Sequence, residues 1–249
     1  MGQHLYTRLE REGFCFVAGF SNENSHRLMT GPLGRTPVRP FPWCVRLLSP
    51  LRLARSFLHG PLPERIAPAF EPRIFGSYLV SEAEAGDPRI DRLWQRARDT
   101  VRVGAVRDSA FTTWRYASRP EARYRFLLAE RGGDPAGFIA HRSLDMRGVR
   151  GGFVLDLLLA PGEEQAGRVL LRAVAELSRA EGAVLLSALL PSPGPVRTAL
   201  LRAGFLRVPE RLHPQLIRFS VRGLGAWARS PLLVDSSAWH LSWSDTEVV

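Results

Sequence analysis

Two stretches of the chain repeat one pattern: residues 12–34, EGFCFVAGFSNENSHRLMTGPLG, and residues 181–205, EGAVLLSALLPSPGPVRTALLRAGF. Each starts with Glu-Gly at the end of a helical segment, continues as a β-like apolar run and breaks at Ser, Pro or Asn. A second helical segment follows and closes on a glycine, Gly34 or Gly204. The glycines stand 21 residues apart in the first stretch (Gly13 to Gly34) and 22 in the second (Gly182 to Gly204). A match over a whole supersecondary unit marks an internal repeat, and a repeat restricts the fold before any other feature is read.

At 249 residues with 45% hydrophobic content, the chain suits one large or two modest domains with packed cores. Its two cysteines, Cys15 and Cys44, lie outside any Cys-x-x-Cys or Cys/His cluster, so neither a disulfide framework nor a metal site is signalled. No secretory h-region follows Met1 and no apolar run is long enough to span a bilayer, so a cytoplasmic protein without a transmembrane segment is expected. Net charge is +10 and all 34 basic residues are arginine. They are scattered rather than gathered into runs and lack an accompanying aromatic-basic RNA motif. A surface that attracts anions is expected, not specific nucleic-acid recognition, and a basic nucleic-acid-binding domain stays only as a distant alternative.

Texture divides the chain into three. Residues 1–36 hold the first copy of the repeat; 37–72 are rich in Pro and Arg and read as a linker; 73–249 are regular. Within the linker, WCVRLLSPLRLARSFL is apolar and basic, and packing against a neighbouring domain is expected of it more than contact with a membrane. In 73–249 the expected order is β-α-α-β-β-β-α-β-α-β-β. Asp87-Pro88 opens a helix with Ile90, Leu93, Trp94 and Ala97 on one face, and 124–129 with 136–143 form a hairpin. Gly152–Leu159 is a strand, and 164–180 a helix with Ala166, Leu170, Val174 and Leu177 on one stripe. Alternation of Trp239, Leu241 and Trp243 predicts an edge strand over 237–243. The fold class is α/β (α+β), a mixed sheet flanked by helices.

That order, with LLRAGF after the fifth strand, resembles the GCN5-related N-acyltransferases over about 73–249, with 3–36 as the last helix-strand-helix of a second copy. FTTWRY (111–116) and the tail WHLSWSDTE (239–247) are similar to the second half of bacterial double-acyltransferase proteins of polysaccharide and envelope clusters. The resemblance implies that the fourth strand, through backbone groups at Leu157 and Leu159, holds the thioester arm of acetyl-CoA or another acyl-CoA. It also implies that the loop before the next helix cradles the pyrophosphate on free N–H groups. The family loop is Arg/Gln-x-x-Gly-x-Gly/Ala; the stretch here is EQAGRV. Gly167 is in register and Arg168 is basic, but Glu164 replaces the lead residue and Val169 the second small one. With Glu163 also present, carboxylates are expected near the phosphates, so weak or absent acyl-CoA binding is expected. Asn22, after the first strand, matches the family's pantetheine-contacting asparagine; as a plain helix cap it needs no ligand.

For the chemistry, a base must take the acceptor's proton. Asp156, within the fourth strand, and Asp245, in the tail, are the catalytic candidates, with His240 behind them; Arg115 and Tyr116 are candidates for the acceptor side. The family's acid tyrosine is replaced by Leu200, and by Thr30 in the first copy. The function that the resemblance implies is acyl transfer to a small-molecule amine or sugar. The alternative is a catalytically silent module of the same fold that stabilises a partner acyltransferase domain or recognises substrate for it.

Overall fold

The computed structural model describes residues 2–38, 41–59, 65–146, 148–191, 193–213 and 218–246. The elements in chain order are α1 (Gly2–Arg11), β1 (Phe16–Ser21), α2 (Glu23–Thr30), β2 (Thr36–Pro37), β3 (Trp43–Leu47) and α3 (Pro50–His59). Then come β4 (Arg73–Phe75), β5 (Tyr78–Ala83), α4 (Arg89–Ala97), α5 (Ser109–Thr112), β6 (Arg125–Arg131), β7 (Asp134–Met146) and β8 (Val149–Leu159). The chain continues through α6 (Glu164–Ala180), β9 (Leu185–Leu189), α7 (Pro195–Arg202), β10 (Leu206–Arg207), β11 (Arg218–Gly223) and α8 (Pro231–Val234).

An eight-stranded sheet runs β10-β3-β9-β8-β7-β6-β5-β4, and a three-stranded sheet runs β1-β11-β2. All pairs are antiparallel except β8 with β9. The mixed sheet flanked by helices is the expected fold class. From Arg150 onward β8 is buried on both faces, as a strand covered on both sides must be. On one side α6 lays Ala166, Leu170, Val174 and Leu177 on the sheet; on the other, α4 contributes Ile90, Leu93 and Ala97. The helix stays close because Gly152 gives room to Ser178 and Gly167 gives room to Ala199 and Leu159; a Cβ at either glycine would sit under 3 Å from its neighbours.

The repeated segments build the same local structure. Helices α1 and α6 both end on a left-handed glycine, Gly13 (φ +86°) and Gly182 (φ +88°). The closing hydrogen bonds match as well: Gly13 N–H to Glu10 O and Phe14 N–H to Leu9 O, against Gly182 N–H to Arg179 O and Ala183 N–H to Ser178 O. Each copy then runs strand, helix, strand, strand: β1-α2-β2-β3 and β9-α7-β10-β11. The last strands change places. β3 lies between β9 and β10, and β11 lies between β1 and β2, each antiparallel to both neighbours.

This exchange corrects the expected boundaries. Residues 37–72 are no mere linker, since β3 pairs along its whole length with β9. Nor does 1–36 stand apart from 73–249: β1 pairs with all of β11, and a core of Val38, Phe41, Phe219, Val221, Trp239 and Leu241 joins the two ends. The first strand of the expected order is instead the hairpin β4–β5, turned at Gly76. Residues 237–243 form no strand; one bridge, Val103 to Trp239, and short turns on either side replace it. Among the described residues no helix is long and apolar enough to cross a membrane.

Candidate functional site: the notch between β8 and β9

In the β7–β8 ladder Ala140 faces Asp156 and His141 faces Val154, so Leu155 is an extra residue on β8. Such a bulge bends the strand that carries it. On its other side β8 pairs with β9 only from Gly151 to Phe153. Beyond Phe153 the two parallel strands part, leaving a notch between Val154, Asp156 and Leu157 on β8 and Ala188 and Leu189 on β9. Val196 and Leu200 of α7 wall one side; His240, Leu241 and Ser242 wall the other. The space left is about 20 Å³, and a larger cavity of about 120 Å³ opens at the strand ends, between Leu158, Gly194 and His240.

Beside the notch lies a buried charged cluster. Arg107, 2% exposed, places Nε 2.7 Å from Asp156 Oδ2 and Nη2 2.6 Å from Asp245 Oδ2. Asp156 Oδ1 also accepts the Leu157 N–H at 3.1 Å, and its Oδ2 accepts the Ser244 hydroxyl at 3.3 Å. Asp245 Oδ2 accepts the Ser242 N–H at 2.8 Å, which closes a tight turn in the tail. Burial works against the Arg107 charge, but the two carboxylates outweigh it and raise its pKa. Arg115 donates to the carbonyls of Ser244 and Thr246, at 2.7 Å each. Trp243 sets its ring edge-on to Phe153, 6.2 Å away. The tail is therefore pinned over the notch by one buried ion cluster, one arginine clamp and one aromatic contact.

His240 sits where this segment faces the notch. Its backbone N–H donates to Val103 O at 2.8 Å, and its Nε2 is buried without a hydrogen-bond partner. Burial lowers its pKa, and Arg107 lowers it further, against the opposing pull of Asp156 and Asp245. The ring is thus neutral at pH 7 and can present an acceptor nitrogen.

The predicted residues divide. Asp156, Asp245 and His240 come together at the cluster, with Arg115 and Tyr116 beside it. Asp156 and Asp245 are engaged by Arg107, and Arg115 by the tail. Tyr116 is 2% exposed and packed against Tyr124 and Phe126, its hydroxyl pKa raised well above the ordinary value by burial and then by Asp156. Leu157 lines the notch and Leu159 the wider cavity. Gly167 is a packing glycine against Ala199, and Arg168 is on the solvent face of α6, bonded to Gln165. Asn22 caps α2 by accepting from Ser25 N–H at 2.9 Å, in the small-sheet half of the chain. The expected crowding of the phosphate loop does not occur as drawn: Glu163 is turned inward to Tyr78 and Arg131, and Val169 is packed in the core. Arg107 was not foreseen. It follows an unremarked GAV, and only contacts with residues far along the chain reveal it. Among the described residues no group of His, Cys, Asp and Glu is arranged to hold a metal ion.

No protein-family profile matches the chain, and no curated protein matches it. Solved structures do. A GCN5-related N-acetyltransferase from Anabaena variabilis superposes with a TM-score of 0.53 at 10% identity, over 90% of this chain and 50% of that one. The fold is that of the GCN5-related N-acetyltransferases. The chain spans about half the length of the Anabaena protein. Two further structures are a GCN5-related N-acetyltransferase from Sphaerobacter thermophilus (TM-score 0.43, 16% identity, 84% of this chain and 59% of that one) and a predicted acetyltransferase from Clostridium acetobutylicum solved with acetyl-CoA. The latter has a TM-score of 0.41 and 16% identity, over 55% of this chain and 94% of that one. With the hairpin β4–β5 counted as the first strand of the expected order, the bulged strand β8 is its fourth strand and β9 its fifth, and the notch is the gap between them.

Proposed function

We propose that the chain is an acyl-CoA-dependent N-acyltransferase acting on the amine of a small molecule or sugar, with His240 as the base. The observation that carries the reading is the unpartnered, neutral His240 Nε2 beside the β8–β9 notch. The residues suit an acyl-CoA. The edge of β8 from Val154 onward is unpaired with β9 and offers backbone groups to an amide-bearing arm, and Val196 and Leu200 supply an apolar wall. When bound, that cofactor supplies an activated acyl carbonyl. His240 accepts the proton that the acceptor amine releases, and Arg107 with Asp156 and Asp245 holds the tail that carries the imidazole. Asp156 and Asp245 are then positioning groups, both engaged by the buried Arg107 guanidinium. A setting in polysaccharide or envelope metabolism, in the cytoplasm, belongs to the same proposal.

One observation favours the second reading, a silent module serving a partner acyltransferase domain. The notch holds only about 20 Å³, and Leu200 stands where an acid would be. Acetyl-CoA separates the two. At a Kd of ~10 μM, ~1 mM ligand stabilises the fold by about 2.7 kcal/mol, a clear rise in melting temperature. The enzyme reading expects that rise, and acyl transfer to an amine panel that falls roughly 10²-fold or more in His240→Ala with binding retained. No stabilisation by acetyl-CoA at ~150 mM salt defeats it and leaves the silent module.

A further inference from the structure

The apolar and basic stretch WCVRLLSPLRLARSFL has two fates. Its first part, β3, pairs into the sheet, and Leu48 closes the join by donating its N–H to Val184 O at 2.8 Å. Its second part, α3, turns only one side inward, with Ser56 buried and Arg52 and Leu53 half-buried. The other side faces solvent and carries Leu51, 86% exposed, and Leu58, 78% exposed, two turns apart with Ala54 between them. Among the described residues these are the two most exposed large hydrophobic side chains. A surface helix ordinarily shows the reverse, with its apolar stripe toward the core. Arg55 lies on the same outer side, and among the described residues no ion pair engages it or Arg52. The sequence leading through α3 is also one-sided in charge: from Asn24 to Pro63 it holds no acidic residue but has Arg27, Arg35, Arg39, Arg46, Arg52 and Arg55.

We propose that α3 docks the chain on an anionic lipid surface, lying flat in the headgroup layer with Leu51 and Leu58 in the acyl boundary. Its 10 residues span about 15 Å, too short to cross a bilayer and enough to lie along its interface. Arginine stems run along apolar surface while their guanidinium groups stay at the phosphates, so Arg52 and Arg55 add attraction to the burial of the leucines. A convex ridge of leucines suits lipid better than a protein partner, because protein interfaces centre on aromatic and arginine anchors in pockets and under-use leucine there. Docking this way leaves the notch free. β3 ends at Leu47, just before α3, and pairs there with Leu185 at the start of β9, whereas the notch opens beside Leu189 at the end of that strand.

The test is sedimentation of the full chain with lipid vesicles at ~150 mM NaCl, where long-range attraction by the net charge is damped. Vesicles of equimolar phosphatidylglycerol and phosphatidylcholine are expected to bind the chain, and vesicles of phosphatidylcholine alone to bind it roughly tenfold less. Leu51→Gln and Leu58→Gln should each weaken binding to the anionic vesicles roughly tenfold, the worth of one buried leucine, and Arg55→Gln roughly fivefold. Both leucines face solvent, so neither variant disturbs the core. Ile74→Gln, at an exposed apolar residue on β4, the far edge strand of the sheet, should change nothing. Equal weakening by Ile74→Gln, or no weakening by either leucine variant, reduces the effect to general charge attraction and overturns the proposal. Absence of binding to the anionic vesicles overturns it outright. A parent chain that is dimeric, and that Leu51→Gln converts to a monomer, also overturns it, because a second copy then covers α3.

Discussion

Replacing Arg107 with methionine tests whether the charged cluster organises the site. The side chain is 2% exposed, and its loss leaves Asp156, at 1%, and Asp245, at 14%, facing each other without a cation. Removing one partner of a buried pair costs about 3–5 kcal/mol, because the remaining charge stays desolvated and unpaired. For a chain of this length each kcal/mol lowers the melting temperature by about 2–4 °C, so a fall of roughly 6–20 °C is expected at pH 7.5. Adding Asp156→Asn and Asp245→Asn should recover part of the loss, a coupling that independent sites do not show. Thermal and denaturant midpoints of the parent chain, Arg107→Met, Asp156→Asn with Asp245→Asn, and the combined variant measure all of this. A single-variant loss under 1 kcal/mol, or no recovery in the combined variant, refutes the reasoning.

Three further outcomes are expected. A chain cut to start at Pro72 loses β3, β1 and β2 together, leaving β9 with an open edge and β11 with two; it should show no cooperative urea transition, and a sharp one would disprove the interlock. His141, fully buried against Ser178, has its pKa lowered to about 3 by burial and then by Arg125, so the unfolded chain binds the extra proton. Its stability contribution is intact above about pH 6.5 and falls by about 1.4 kcal/mol per pH unit between there and about 3. A His141→Gln chain should show a correspondingly flatter pH–stability curve, and an unchanged slope would count against this. Cys44, buried and donating to Ala188 O, has its pKa pushed up to about 12, whereas Cys15 is exposed. A thiol reagent at pH 8 should therefore label one cysteine in the native chain and two in denaturant; two in the native chain would refute it.

Periodic signals in the sequence led to the right elements wherever one face had one environment. The α6 stripe, the apolar run of β8 and the repeated helix-glycine ends are all of this kind, and so is the helix opened by Asp87-Pro88. Legibility failed where pairing came from afar. WCVRL in β3 neither alternates cleanly nor stands free of prolines, and its partners on β9 are about 140 residues downstream. The tail alternates Trp239, Leu241 and Trp243 because it crosses a core, not because it belongs to a ladder; its one bridge is to Val103. At the site, Asp156 and His240 were readable as polar residues in apolar settings. Arg107 was not, because the acids that make its burial tolerable are distant in sequence, and a lone arginine reads as surface. The inward turn of Glu163 was hidden for the same reason: Tyr78 and Arg131 come from other strands.

The strand exchange also explains how the first copy of the repeat bears on a notch it does not touch. β11 is held between β1 and β2, and the chain leaving it passes through α8 directly into the tail that walls the notch. Trp239, next to His240, packs against Phe219 of β11 at 4.8 Å and Phe16 of β1 at 5.5 Å, and its indole N–H donates to Leu233 O. His240 is thus fixed from two sides, by the small sheet through Trp239 and by the ion cluster through Ser242 to Asp245. In the other direction β3 lies against β9, the strand that forms the second wall of the notch. Both walls therefore depend on strands or contacts contributed by residues 16–47. The geometry around His240 is thus the product of residues 16–47 as well as of the regular part of the chain.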